Sequence, residues 1–232
     1  MTNKITKLML NWEEYEIREY QGWWRQPWVN TVAYYPLSSD LTDTVHSQTL
    51  TPEGTYTFET VGWATVDSVT ISQALLWTNG YLPTWNDDRT ISLWCRITAW
   101  WQNDSAYFAY GNTSNNALVA IYGDSSKIQV SQYGSSSNNF SPLSLNTWNH
   151  VCLVYQSGTF YVYVNWNTTP IGTWSQSITT SWSNVYVNQI PRWPTAWNKT
   201  WNWSNIIIED KARTAQEIAN YYNQTKSLYG IS

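Results

Sequence analysis

The sequence predicts an all-β protein, a sandwich of two antiparallel sheets, with one short helix close to the C-terminus. Three observations lead there. Short runs of alternating apolar and polar residues recur from Val32 onward, Gly, Asn, Asp and Ser separate them at turn spacing, and one stretch alone has clear helical periodicity.

The first element is an N-terminal β-hairpin over residues 1–20. Ile5, Leu8 and Leu10 alternate loosely with polar residues, Tyr15 and Ile17 alternate with charges, and Asn11-Trp12 fills the turn between them. A lone hairpin is marginal in water, so this one is expected to pack on the main domain or on a neighbouring subunit. Residues 21–31, with Gly22, Pro27 and Asn30, read as a linker.

The sandwich domain is expected over residues 32–232. Its strand-like runs include Val32 to Tyr35, Thr55 to Phe58, Thr90 to Thr98, Ala106 to Tyr110, Ala117 to Tyr122, Lys127 to Tyr133, His150 to Tyr155, Thr159 to Val164, Val185 to Ile190 and Ser204 to Glu209. In the Thr159 run, Phe160, Val162 and Val164 share one face and Tyr161 and Tyr163 the other, so both faces should be covered or line a groove. Thr214 followed by Glu217 is a capping box, and Ala215, Ile218, Ala219 and Tyr222 form the apolar stripe of a helix two to three turns long.

Composition narrows the function. Charged residues are 12% of the chain, about half the usual share, and the net charge is −4 with Lys and Arg scattered singly. Such a surface offers no basic field to a phosphate backbone, which disfavours nucleic-acid binding. No apolar run reaches the roughly 20 residues of a membrane helix. Lys4 and Lys7 precede no apolar stretch of signal-peptide length, so export by another route, or release inside a particle such as a virion, is expected. Cys95 and Cys152 each sit in a strand-like run; they bridge only if those strands are neighbours, and otherwise are two buried thiols.

Five motifs, in order, carry a family resemblance: Ala33-Tyr-Tyr-Pro-Leu, Thr90-Ile-Ser-Leu-Trp, Thr147-Trp-Asn-His-Val, Tyr161-Val-Tyr-Val-Asn, and Ile206-Ile-Ile-Glu-Asp followed by Thr214-Ala-Gln-Glu-Ile. Over about residues 32 to 228 the chain resembles the laminin-G-like branch of the concanavalin A-like lectin/glucanase superfamily. The resemblance implies a jelly roll whose concave face or rim loops bind sugars or proteins. It also implies that Trp94 and Trp148 are buried in the sandwich and that His150 is structural. The cysteine placement is similar to that of pentraxins, which implies a Cys95–Cys152 disulfide between adjacent strands.

The departures from the family are informative. The stretch from Ile190 to Trp197 contains no carboxylate where pentraxins hold calcium, and calcium wants six to eight oxygen ligands, several of them anionic. Asp87, Asp88, Asp104 and Asp124 read as solvated loop residues. No metal and no cofactor is expected. The family's glycosidases carry alternating acids on one strand of the jelly roll; the nearest match, Glu14 and Glu16, falls in the hairpin and reads as solubilising charge. No catalytic residues are therefore assigned, and the expected class is not an enzyme.

Eighteen Trp stand against ten Gly, an inversion of ordinary usage. Several fall where a turn favours glycine, notably Trp12 and Trp166, each preceded by Asn, and Trp85 before Asn86-Asp87. Two readings compete. The rings are stacking platforms for sugars, or the gene reads UGA as glycine and some tryptophans stand at glycine codons. The candidate ligand rim is Trp193, Trp197, Trp201 and Trp203 with Tyr133 and Asn138. The expected function is a non-catalytic, lectin-like domain binding a glycan or cell-surface ligand, outside the cell or on a phage virion. Its rivals are a structural module that assembles with itself or with virion subunits and, third, a carbohydrate-active enzyme.

Overall fold

In the computed structural model the described residues are 5–10, 13–18, 29–37, 39–52, 56–61, 66–71, 74–77, 81–97, 105–123, 127–132, 137–141, 143–180, 184–187 and 201–232. Strands β1 (Ile5–Leu10) and β2 (Glu13–Arg18) pair antiparallel as the N-terminal hairpin, with Leu10 opposite Glu13. There follow β3 (Thr31–Tyr35), β4 (Thr51–Pro52), β5 (Tyr56–Val61), β6 (Val66–Ile71), β7 (Ala74–Trp77), β8 (Arg89–Ile97), β9 (Ser105–Gly111) and β10 (Leu118–Gly123). The chain continues through β11 (Ile128–Gln132), β12 (Ser137–Phe140), β13 (Trp148–Gln156), β14 (Thr159–Val164), β15 (Gly172–Ser175), β16 (Asn184–Val187) and β17 (Trp201–Glu209). It ends in helix α1 (Ala215–Thr225) and a 3₁₀ turn, Lys226–Tyr229.

Two antiparallel sheets stack as a jelly-roll sandwich. One has seven strands in the order β12-β11-β10-β9-β16-β7-β4, the other eight in the order β15-β14-β13-β8-β17-β6-β5, with β3 also pairing β17. The core lies between them because alternate residues of the long central strands are apolar. From β8 it takes Ile91, Leu93, Cys95 and Ile97, from β13 Val151, Leu153 and Tyr155, and from β10 Val119 and Ile121.

Period-2 alternation also decides the cysteines. Strands β8 and β13 are neighbours, but Cys95 lies opposite Asn149 and Cys152 opposite Ser92. Three residues apart in register, the two point to opposite faces: Cys95 enters the core between the sheets, Cys152 the layer beneath the helix. Both are free, buried thiols, and the disulfide implied by the pentraxin-like placement does not form.

Helix α1 covers the outer face of the eight-stranded sheet. Its capping box is made, with the Glu217 N–H donating to Thr214 Oγ1 and Glu217 Oε2 accepting from the Thr214 N–H. Arg213, just before the helix, donates from Nε to both carboxylate oxygens of the wholly buried Glu209, at 2.9 and 3.0 Å, and from Nη1 to Glu217 at 2.9 Å. Tyr222 of the helix and Tyr229 of the 3₁₀ turn pack on Trp94 and Trp148 of the sheet, with the Trp94 and Tyr229 rings stacked at 4.0 Å. Trp94 and Trp148 are thus buried, but under the helix and not between the sheets, because they alternate out of phase with Leu93 and Val151.

Tyr163 is buried in this same layer and Tyr161 packs against it, while Phe160 and Val162 enter the core, so β14 is covered on both faces as its sequence requires. His150 is buried between the rings of Trp94 and Tyr221, and burial pushes its pKa down to about 3. It stays neutral above strongly acidic pH, a structural residue.

Candidate functional site

Both broad faces of the sandwich are closed at their centres. The helix and its aromatic layer occupy one. On the other, Ala109, Leu118, Ala120 and Tyr186 point away from the core yet are buried. Among the described residues, the group of loops most densely tied together by hydrogen bonds is at the end where β8 begins and β13 finishes.

Four loops meet there: residues 81–88, 112–117, 156–159 and 176–180. The Trp85 N–H donates to Thr180 O, the Gln176 N–H to Gly158 O at 2.9 Å and the Thr179 N–H to Asn116 O at 2.8 Å. The Asp88 carboxylate accepts from the Ser157 N–H at 2.9 Å, and Asn86 Oδ1 accepts from the Tyr155 hydroxyl. The Gln132 amide, at the end of β11, donates to Ser177 O at 3.1 Å.

Arg89 is the centre of this end. It is 2% exposed and lies over the rings of Tyr110 and Tyr155, at 5.5 and 5.8 Å. Its Nε donates to Asp87 O, Nη1 to Pro83 O and Thr180 Oγ1, and Nη2 to Thr84 O and Trp85 O, at 2.8 to 3.1 Å. A guanidinium has five N–H donors, and all five are used here. Burial pulls its pKa below the ordinary arginine value, an effect opposed by Tyr110, Asp87, Tyr155 and Asp88. The loop over residues 81–88 is thereby wound around a cation and held at four carbonyls, which makes it rigid without any regular secondary structure.

The outward surface of this end is rich in amides and hydroxyls, with one exposed carboxylate. Asn86, Asp87, Thr113, Ser114, Asn115, Gln156, Ser157, Ser177 and Thr179 are exposed. At its tip Trp85 stands 62% exposed with φ +47°, in the left-handed region that a side chain with a Cβ disfavours. Trp166, at the opposite end, is 60% exposed on the turn after β14, where Asn165 alone has positive φ. The turn closes through a long bond, 3.4 Å from the Asn167 N–H to Val164 O. Asn-Gly type I′ turns have positive φ at both central residues; the second residue here does not adopt it.

The residues picked from sequence as a rim do not come together at this end. Trp203 is 0% exposed, in the core, because β17 runs between β8 and β6 and places it opposite Cys95 and Val69. It is no surface ligand group. Trp201 opens the same strand opposite Ile97. Asn138 is half-buried on the edge strand β12, its amide donating to Thr173 O at 3.4 Å, several strands away from β17 across the sandwich. Trp193, Trp197, Tyr133 and Trp12 lie outside the described residues. Sequence reading passed over Arg89 and treated Asp87 and Asp88 as ordinary loop charge. The available signal was an arginine opening an otherwise apolar strand directly after two aspartates.

Among the described residues no three His, Cys, Asp or Glu side chains are grouped to hold a metal ion, and no helix is long and apolar enough to cross a membrane.

This is a jelly-roll sandwich with a polar group of loops at one end. A laminin G type profile, described as the concanavalin A-like lectin/glucanases superfamily, matches residues 64–219, and the chain belongs to that superfamily. No match was found among curated proteins. Among solved structures, the binding domain of botulinum neurotoxin serotype G is similar at TM-score 0.68 and 13% identity, over 85% of this chain and 52% of that one. Domain 4 of an extracellular GH43 arabinanase from Geobacillus stearothermophilus, solved with arabinotriose, is similar at TM-score 0.65 and 14% identity, over 83% and 98%. The ligand-binding domain of botulinum neurotoxin serotype D, solved with N-acetylneuraminic acid, is similar at TM-score 0.66 and 12% identity, over 84% and 51%. The chain spans about half the length of these neurotoxin domains. At such identities the likeness shows the fold.

Proposed function

We propose that this chain is a non-catalytic, lectin-like domain that binds a glycan at the Arg89-anchored loop end. The observation that carries the reading is the build of that end: polar side chains able to donate to and accept from sugar hydroxyls, on loops fixed before any ligand arrives. Preorganised polar groups lose little freedom on binding, which is what a weakly hydrophobic ligand requires. The superfamily and the two neighbours solved with sugars support it. The non-catalytic part is supported by the outer face of the seven-stranded sheet, where the described side chains are Thr51, Ala109, Leu118, Ala120, Tyr122, Gln129, Asn139, Asn184 and Tyr186. A retaining glycosidase needs two carboxyl groups about 5 Å apart, and none of these residues supplies one.

A site on a virion or cell surface fits the charge-poor composition and the hairpin preceding the domain. As for the tryptophan surplus, we read position 85 as a glycine codon: it is left-handed, exposed and at a loop tip, and the proposed binding rests on the polar groups around it, not on the indole. The codon at position 85 tests that. A glycan array probed with the intact protein tests the binding, with light scattering as the companion measurement. Binding to a defined set of glycans supports the lectin reading; concentration-dependent self-assembly with no glycan bound favours the structural module.

A further inference from the structure

We infer that the Arg89-anchored end selects uncharged glycans and discriminates against those carrying a carboxylate, sialylated ones included. This rests on the glycan-binding reading and adds a specificity to it.

A site that captures an acidic sugar needs donors for its carboxylate, ordinarily an arginine or lysine with N–H groups to spare. The four loops, residues 81–88, 112–117, 156–159 and 176–180, contain no Lys or Arg, and the one beside them is Arg89, which opens β8. All five of its N–H donors go to Asp87 O, Pro83 O, Thr180 Oγ1, Thr84 O and Trp85 O, and it is buried. Turning any of these toward a ligand breaks one of the bonds that hold the loop. The arginine is a structural cation with nothing to offer an anion.

Among the described residues of these loops, the charge that does reach the surface is negative. Asp87 is exposed and Asp88 half-buried, on the same loop tip as Asn86, and Asp88 is fixed in place by the Ser157 N–H. A ligand carboxylate about 6 Å from both is repelled by each through water, which lowers affinity roughly tenfold at low salt and less than about twofold at 0.5 M salt. Hydroxyls meet no such barrier, since carboxylate oxygens accept from them and the neighbouring Asn, Ser and Thr groups both donate and accept. One structural neighbour was solved with N-acetylneuraminic acid; this end is built for the opposite preference.

The test is an array of matched oligosaccharide pairs, each with and without a terminal sialic acid, probed with the intact protein at 20 mM and 500 mM salt. Members without sialic acid are expected to bind about tenfold more tightly at low salt, the gap closing at high salt. Asp87→Asn is expected to narrow the low-salt gap to about threefold, since one of two repelling charges is removed. Sialylated members binding equally or more tightly overturns the specificity alone, as does a gap that Asp87→Asn leaves unchanged. Binding to no glycan of either kind overturns the binding reading, and the specificity with it.

Discussion

Replacing Trp85 with glycine and, separately, with alanine isolates the cost of its backbone conformation, because both variants delete the indole. The residue holds φ at +47°. For a residue with a Cβ the left-handed conformation costs roughly 1–2 kcal/mol. Glycine escapes that cost but returns about 0.5–1 kcal/mol through the extra freedom of its unfolded chain. Glycine is therefore expected to be the more stable variant by about 0.5–1 kcal/mol, or roughly 2–4 °C in melting temperature for each kcal/mol in a chain of this size. Position 166 is the internal control. Trp166 is as exposed as Trp85 but outside the positive-φ set, so there alanine should exceed glycine by about 0.5–1 kcal/mol. Thermal melts of the four variants decide it. Alanine equal to or better than glycine at position 85, or the same order at both positions, would refute the reasoning and with it the glycine-codon reading of residue 85.

Arg89→Met removes all five guanidinium hydrogen bonds, although Pro83 O, Thr84 O and Trp85 O each keep one other donor, and should cost about 2–4 kcal/mol in urea melts; a loss under 1 kcal/mol would mean the loop does not depend on it. Burial alone would raise the Glu217 carboxyl, but hydrogen bonds from Lys211 and Thr214 and the charge of Arg213 outweigh it and hold the pKa at about 2, against an ordinary 4.5. A depressed carboxylate stabilises the fold above its unfolded value, so its contribution is complete above about pH 4.5 and fades as the pH falls toward 2. Glu217→Gln should flatten stability across that window, and an unchanged profile would contradict the assignment. Cys95 and Cys152 should resist a thiol reagent in the folded protein, burial having pushed both thiols up, and both should react once it is unfolded; finding no reactive thiol after unfolding would mean a disulfide.

The sandwich was legible wherever a strand buries one face and so must alternate. The runs around Thr90, His150 and Thr159 match β8, β13 and β14 closely, and Thr214 with Glu217 located the helix because a capping box is a local, self-sufficient signal. Strands β4, β6, β7, β12 and β15 were not read, β4 being only the two residues Thr51–Pro52. Val66–Ile71 puts Asp67 and Ser68 side by side, Ser137–Phe140 is polar but for its last residue, and the others are four residues long. Pairing with a neighbour, which the sequence does not display, makes these into strands. Register explains the two clearest departures. Whether Cys95 and Cys152 share a face, and whether Trp203 looks inward, depends on how strands align across the sheet, and a one-residue difference reverses the answer. The Arg89 end was invisible for another reason: four of its five partners are backbone carbonyls, which no side-chain pattern announces.

The glycan site is tested most directly by blocking it. Ser177→Trp places a bulky ring on an exposed position of the Arg89-anchored end, and Thr168→Trp does the same at the opposite end. With a glycan that the unmodified protein binds on the array, calorimetry should show affinity falling at least tenfold in the Ser177 variant and unchanged in the Thr168 variant. Unchanged affinity with Ser177→Trp, or loss with Thr168→Trp alone, would place the binding surface elsewhere and contradict the assignment.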